Sequence, residues 1–311
     1  PDLDEDLLRE GVQRILDRLV VMRVAEDRGI INHDTLRLMM ESWDATTINP
    51  DERRLIRDLT NSFLDFDSVY NSTLFARHEC EEWTVENDAL KEIINSFYEY
   101  NFEYLDADIL GSIYEDYLGH AIEEKSDGEG ITLEERSDER REGGIYYTPA
   151  SVVDFLVEST VGERLDELMR EVEEELTKEN PDFDLAREKF DRIEDIRVLD
   201  VSCGSGSFLI KAYDKFVDAY DTYDDLLKST RSADMGLTEY SSSHQRPDDY
   251  RQRILTNNIF GLDLDQQATE IAAVNLFLKA LKQDQKIPTM LEENIRRGNS
   301  LLNGSAEDIA E

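Results

Sequence analysis

Residues 198–208 read Val-Leu-Asp-Val-Ser-Cys-Gly-Ser-Gly-Ser-Phe. Val198 and Leu199 have the character of the end of a buried parallel strand, and Asp200 sits where that strand stops. Gly204 and Gly206 open a tight loop, where the backbone can approach a ligand with no Cβ in the way. From Phe208 onward the pattern is helical. A strand, a glycine turn and a helix make the first unit of a doubly wound α/β sheet, and such sheets bind ligands at that turn. The spacing argues against two ligands. A dinucleotide fingerprint needs a third glycine where this chain has Leu209, and an acid closing the second strand. Asp221, Asp224 and Asp225 follow a helix-like run instead. A nucleotide P-loop needs Gly-Lys-Ser/Thr, which is absent here.

Two further strand ends complete the arrangement. Ile259 to Leu264 reads as the second strand, ending in Asp263, and a long helix follows from Ala268 to Leu281. Residues 294–297 read as a third strand, with Gly298, Asn299 and Ser300 at its carboxyl end. Three strand ends then meet at one crevice. Thr148-Pro149 is a helix-start signal, with threonine as cap and proline in the first helical position.

The pattern Asp-x-x-Cys-Gly-x-Gly-x-Phe resembles the S-adenosylmethionine (AdoMet) loop of DNA adenine methyltransferases. Gly144 to Pro149 (Gly-Ile-Tyr-Tyr-Thr-Pro), Ile259 to Asp265 and Asn294 to Leu302 flank it in order. Together they look like four consecutive motifs of the N6-adenine methyltransferases of type I and type IIG restriction–modification systems, over roughly residues 140–302. Leu19 to Gly29 and Ile109 to Gly119 look like the helical connector of the fused, type IIG-like enzymes. The resemblance implies an AdoMet-dependent, Rossmann-like doubly wound α/β domain, truncated, behind an all-α domain. It also implies a cofactor site of Tyr146, Tyr147, Thr148, Pro149, Asp200, Cys203, Gly204, Gly206, Phe208, Asp263 and Asn299. In that site Asp263 takes the ribose hydroxyls, Asp200 faces the methionine amino group and Asn299 holds the adenine. Phe208 or Phe260 covers an adenine face. Tyr146 to Pro149 close over the methionine end, where an aromatic ring attracts a sulfonium. Asp265 is the weaker ligand, because the helix has begun there.

The family often has proline where this chain has Val201, a change in loop rigidity. A larger departure is that the Asn/Asp-Pro-Pro-Tyr/Phe motif, which holds the target base, is missing: no Pro-Pro occurs anywhere. The expectation is a fragment holding the cofactor half of an active site, inactive alone, with no catalytic residue of its own. Its partners would be double-stranded DNA through the parent enzyme, and a specificity subunit or a fused nuclease or target-recognition domain. The alternative is a non-catalytic helical interaction or scaffold module of a restriction–modification complex. Methylation of RNA or protein is the weaker reading, because the Tyr146–Pro149 element points to DNA.

Composition adds bounds. The 311 residues suffice for two domains. The expected division is a helical domain over 1–122, a charged linker over 123–142 and the methyltransferase domain over 143–311. That last part carries insertions near 162–195, as solvated helices, and near 221–250, as loop. Helices are expected near 5–28, 34–43, 51–65, 86–99 and 107–118, with Gly29 stopping the first. The net charge is −38, from 72 acids against 34 bases. A DNA-binding surface is normally basic, so either the chain never touches DNA or its source is salt-loving, where molar salt screens self-repulsion; only 10 of the 34 bases are lysine, which favours the second. The four histidines show no ligand spacing, and Cys80 and Cys203 make neither a disulfide framework nor a zinc site. With no membrane-spanning run and no signal peptide, the cytoplasm is the expected location and no membrane is involved.

Overall fold

A computed structural model describes residues 5–44, 54–70, 73–83, 85–103, 120–124, 131–135, 148–233, 245–281 and 293–301. The chain divides into two compact units, one of residues 1–107 with 277–289, the other of 108–276 with 290–311.

The first unit is helical: α1 (Glu5–Asp27), α2 (Thr35–Asp44), α3 (Arg54–Tyr70) and α4 (Asn87–Phe97). The helix expected near 107–118 lies outside the described residues. Helix α1 buries Leu19, Val21, Met22 and Ala25 and ends at Gly29, whose φ is 65°. The Gly29 amide donates to Glu26 O and the Ile30 amide to Ala25 O, closing a Schellman cap that glycine adopts without Cβ strain. The charged residues of the Leu19–Gly29 motif point inward. Glu26 is fully buried and accepts from Arg23, from the Leu36 amide at 2.8 Å and from the Tyr98 hydroxyl at 2.9 Å. Asp27 pairs with Arg23 and accepts from the Phe102 amide at 2.7 Å. The Arg23 guanidinium stacks 4.0 Å from the Tyr98 ring centroid. One carboxylate node thus ties the end of α1 to α2 and to the segment around α4. The motif is a structural knot of hydrogen-bonded buried charge.

In the second unit, β1 (His120–Glu124) pairs antiparallel with β2 (Ile131–Glu135), partly inside the stretch read as a linker. Ile122, Ile131 and Thr132 supply strand propensity there. Helix α5 (Ala150–Val157) begins one residue later than expected. Pro149 is its cap: the Pro149 carbonyl accepts from the Val152 and Val153 amides, and no side-chain cap bond forms. A π-helical turn over Glu158–Gly162 leads into α6 (Glu163–Leu176), and α7 is Phe183–Asp191.

Helices α6 and α7 are not the solvated insertion their charge suggested. A stripe of Leu165, Leu168, Val172 and Leu176 is buried, as are Ala186 and Phe190. Phe190 stacks on Tyr223 with centroids 3.9 Å apart. Tyr223 lies on α8 (Ser207–Ala233), which runs on through the first part of the expected 221–250 loop. The helix continues because Tyr220, Tyr223 and Leu227 keep a buried face at helical spacing.

Short helix α9 (Tyr250–Arg253) precedes the next strand, and α10 (Gln266–Ala280) follows it. Strands β3 (Val198–Asp200), β4 (Ile259–Asp263) and β5 (Ile295–Arg297) form a parallel sheet in the order β3-β4-β5. The three strands fall where the sequence placed them. Burial of β3 does not follow the prediction: Leu199 is 63% exposed, and β3 is an edge of the described sheet.

Candidate functional site

Asp200 ends β3 and Asp263 ends β4. Parallel register sets Asp200 opposite Gly261 and Asp263 opposite Arg297, so these residues line up along the carboxyl edge. The backbone then gathers around Asp263. Its Oδ2 accepts from the Gly204 amide at 2.8 Å and its Oδ1 from the Asp265 amide at 2.9 Å. Its carbonyl accepts from the Gly298 amide at 2.8 Å, which brings Asn299 to the same edge. The Cys203 amide donates to Leu262 O at 3.0 Å. Asp263 therefore connects the glycine loop and the turn after β4 through its carboxylate, and the turn after β5 through its backbone carbonyl.

The loop needs its glycines for different reasons. Gly204 (φ 51°) and Gly206 (φ 92°) both lie in the left-handed region. A Cβ on Gly204 would meet nothing within 4 Å, so space is open there and only conformation is restricted. A Cβ on Gly206 would come 3.0 Å from Ala272 Cβ, where α10 passes close by. Gly261, inside β4, is a packing glycine: a Cβ there would approach Leu209 Cδ1 at 2.8 Å and Cys203 Sγ at 3.0 Å.

Electrostatics at this edge are anionic. Burial, and then the nearby Asp263 charge, raise the Asp200 carboxyl above the usual range, although the Ser202 amide donates to it at 3.1 Å. Cys203 is buried, and burial followed by Asp200 and Asp263 pushes its thiol up to about 12. It is neutral at physiological pH and acts as an apolar filler beneath the loop. Asp265 caps α10, its carboxylate accepting from the Gln267 amide at 2.8 Å. Asn299 is half-buried and accepts from the Leu301 amide at 2.9 Å.

Asp200, Cys203, Gly204, Gly206, Asp263 and Asn299 thus gather at one edge. Phe208, in the first turn of α8, lines an apolar groove of about 290 Å³ together with Leu156, Val157, Leu199 and Asp200. Phe260 lies within β4, opposite Leu199. Thr148 and Pro149 belong to the start of α5, and Tyr146 and Tyr147 lie outside the described residues. Sequence reasoning missed Gly261 and Asn275. The fully buried Asn275 side chain donates to the Ser205 carbonyl. A polar residue alone in an apolar helical run was the signal. Among the described residues no cluster of metal-ligating side chains occurs, and no helix is long and apolar enough to cross a membrane.

The family model described as the MmeI DNA-methyltransferase domain matches residues 174–301. A type II restriction enzyme and methyltransferase of Escherichia coli, RM.Eco57I, is 27% identical over 97% of this chain and 28% of its own length. A putative enzyme of the same description from Methanocaldococcus jannaschii, RM.MjaORFECS2P, is 24% identical over 95% of this chain and 27% of its own. The adenine-specific methyltransferase BrxX of Escherichia coli O9:H4 is 34% identical over 38% of this chain. The type IIL restriction-modification enzyme MmeI, solved in complex with DNA, shares the fold with a TM-score of 0.56 at 16% identity, over 96% of this chain and 37% of that one. The chain spans about a quarter of the length of the first two relatives. Its sequence is similar to those of methyltransferases of restriction–modification systems.

Proposed function

We propose that this chain is the AdoMet-binding part of a site-specific DNA adenine-N6 methyltransferase from a restriction–modification system. The observation that carries the reading is the convergence of the glycine loop and the Gly298–Asn299 turn on Asp263. The relatives, named as methyltransferases, support it.

The residues present fit AdoMet. A carboxylate has about four acceptor sites. Asp263 uses one on each oxygen for backbone amides, which leaves one on each for the two ribose hydroxyls. Asp200, half-buried beside a like charge, favours a cationic neighbour such as the methionine ammonium. Asn299 Oδ1 keeps a lone pair for the adenine amino group. The open side of Gly204 lets the ligand lie against the backbone. When bound, AdoMet supplies an electrophilic methyl group on a sulfonium. What this chain contributes is binding, orientation and charge balance, so its share of catalysis is positioning.

The finer fold is proposed as a truncated, Rossmann-like doubly wound domain behind a helical connector. The target adenine, flipped from double-stranded DNA, would be held by a polar-Pro-Pro-aromatic segment outside this sequence. Target recognition or cleavage would fall to a specificity subunit or a fused domain. This chain alone is expected to bind AdoMet and to methylate nothing. Calorimetry with AdoMet tests the reading. Saturable heat that Asp263→Ala abolishes supports it, and no heat or melting shift at millimolar AdoMet overturns it.

A further inference from the structure

We infer that Asn275, which none of the four motifs contains, is the residue that positions the glycine loop. It is fully buried, and its Nδ2 donates at 3.0 Å to the carbonyl of Ser205, between the two positive-φ glycines. Ala272 lies one turn earlier on the same face of α10, against Gly206. The helix thus presents a small side chain where the loop comes closest and a single donor beside it. The two anchors are complementary: Asp263 takes the amide of Gly204, and Asn275 holds the carbonyl of Ser205.

The Ser205–Gly206 peptide is held on both sides: its N–H, on Gly206, donates to the Cys203 carbonyl at 2.8 Å, and its C=O accepts from Asn275 at 3.0 Å. The Asn275 amide fixes which way its carbonyl points, and so which face the loop offers to a ligand. Stability alone does not account for an amide here. Asn275 Oδ1 is buried with no hydrogen-bond partner among the described residues. Ile271, Val274, Leu276 and Leu278 of the same helix are apolar and buried. An unsatisfied acceptor weakens such a core. What the asparagine supplies is the shape of the loop.

The test uses the full chain, and only its ligand measurement rests on the methyl-donor reading. Asn275→Leu keeps side-chain bulk and removes the donor. Its melting temperature is expected to stay within about 3 °C of the parent or to rise. Amide exchange over residues 203–206 is expected to accelerate about tenfold, with β4 and α6 unchanged. AdoMet affinity is expected to drop by about the same factor. Should Asn275→Leu not fold, Asn275→Ala carries the same exchange measurement. Parent-like loop exchange in the folded variant overturns the inference, whatever AdoMet does. Faster loop exchange with no AdoMet binding by the parent chain upholds loop positioning and defeats the methyl-donor reading instead.

Discussion

Asp263 and Asp200 have different jobs, and substitutions should separate them. Asp263→Ala removes the acceptor of two backbone amides. Hydrogen bonds to a charged group are each worth about 1.5–3 kcal/mol, so calorimetry should read at least a tenfold (~1.4 kcal/mol) loss of AdoMet affinity. Asp200 should show itself through pH. Its folded carboxyl is raised, mainly by burial. A raised acid binds protons more readily folded than unfolded. Its contribution to stability is therefore present below the unfolded value and lost as pH rises through the folded one. Ligand binding runs the opposite way, because an ammonium needs Asp200 ionised. AdoMet affinity should fall as pH drops through the raised value, and this dependence should vanish in Asp200→Asn. Calorimetry across a pH series checks both, and an unchanged pH profile in Asp200→Asn would sink the assignment. The acids and glycines were legible in the sequence because a strand end, a tight turn and a helix start are local signals. Asn275 was not, since its partner lies 70 residues away in the chain and only packing joins them.

At the scale of elements, each piece of the edge holds the next. Gly261 lets β4 lie against Leu209 and Cys203, so Gly261→Ala forces those side chains off their positions. Overpacking of this kind costs about 1–3 kcal/mol, which denaturant unfolding should register, with faster exchange in the loop above Cys203. A second test concerns α1. Removing one partner of a buried ion pair costs about 3–5 kcal/mol. Glu26→Ala, which leaves Arg23 only Asp27 and releases the Leu36 amide and Tyr98 hydroxyl, should unfold the helical unit first in limited proteolysis. Element type was readable throughout, and what failed was context. Charge made α6 and α7 look solvated, yet a narrow apolar stripe suffices to bury a helix. Serine and aspartate content suggested a loop where α8 continues, because the tyrosines that hold it belong to a distant packing partner, Phe190. Thr148 resembled a cap by type, but the Pro149 carbonyl does that work.

For the whole molecule, charge is the governing quantity. A net charge of −38 on 311 residues repels itself strongly in dilute buffer. At 1 M salt the screening length is about 3 Å, so the melting temperature should climb with added KCl. A flat melting curve across a KCl series would remove the salt-adaptation reading.

The edge of β3 gives that repulsion a second meaning. Leu199 and Val201 stand 63% and 51% exposed there, in the apolar groove. A strand edge left open among the described residues, as here, can zip onto a copy of itself. Mutual repulsion of the −38 charge opposes such pairing, and salt that screens it removes that protection. Shelf life in solution should pass through an optimum of ionic strength, with unfolding on the dilute side and clumping on the concentrated side.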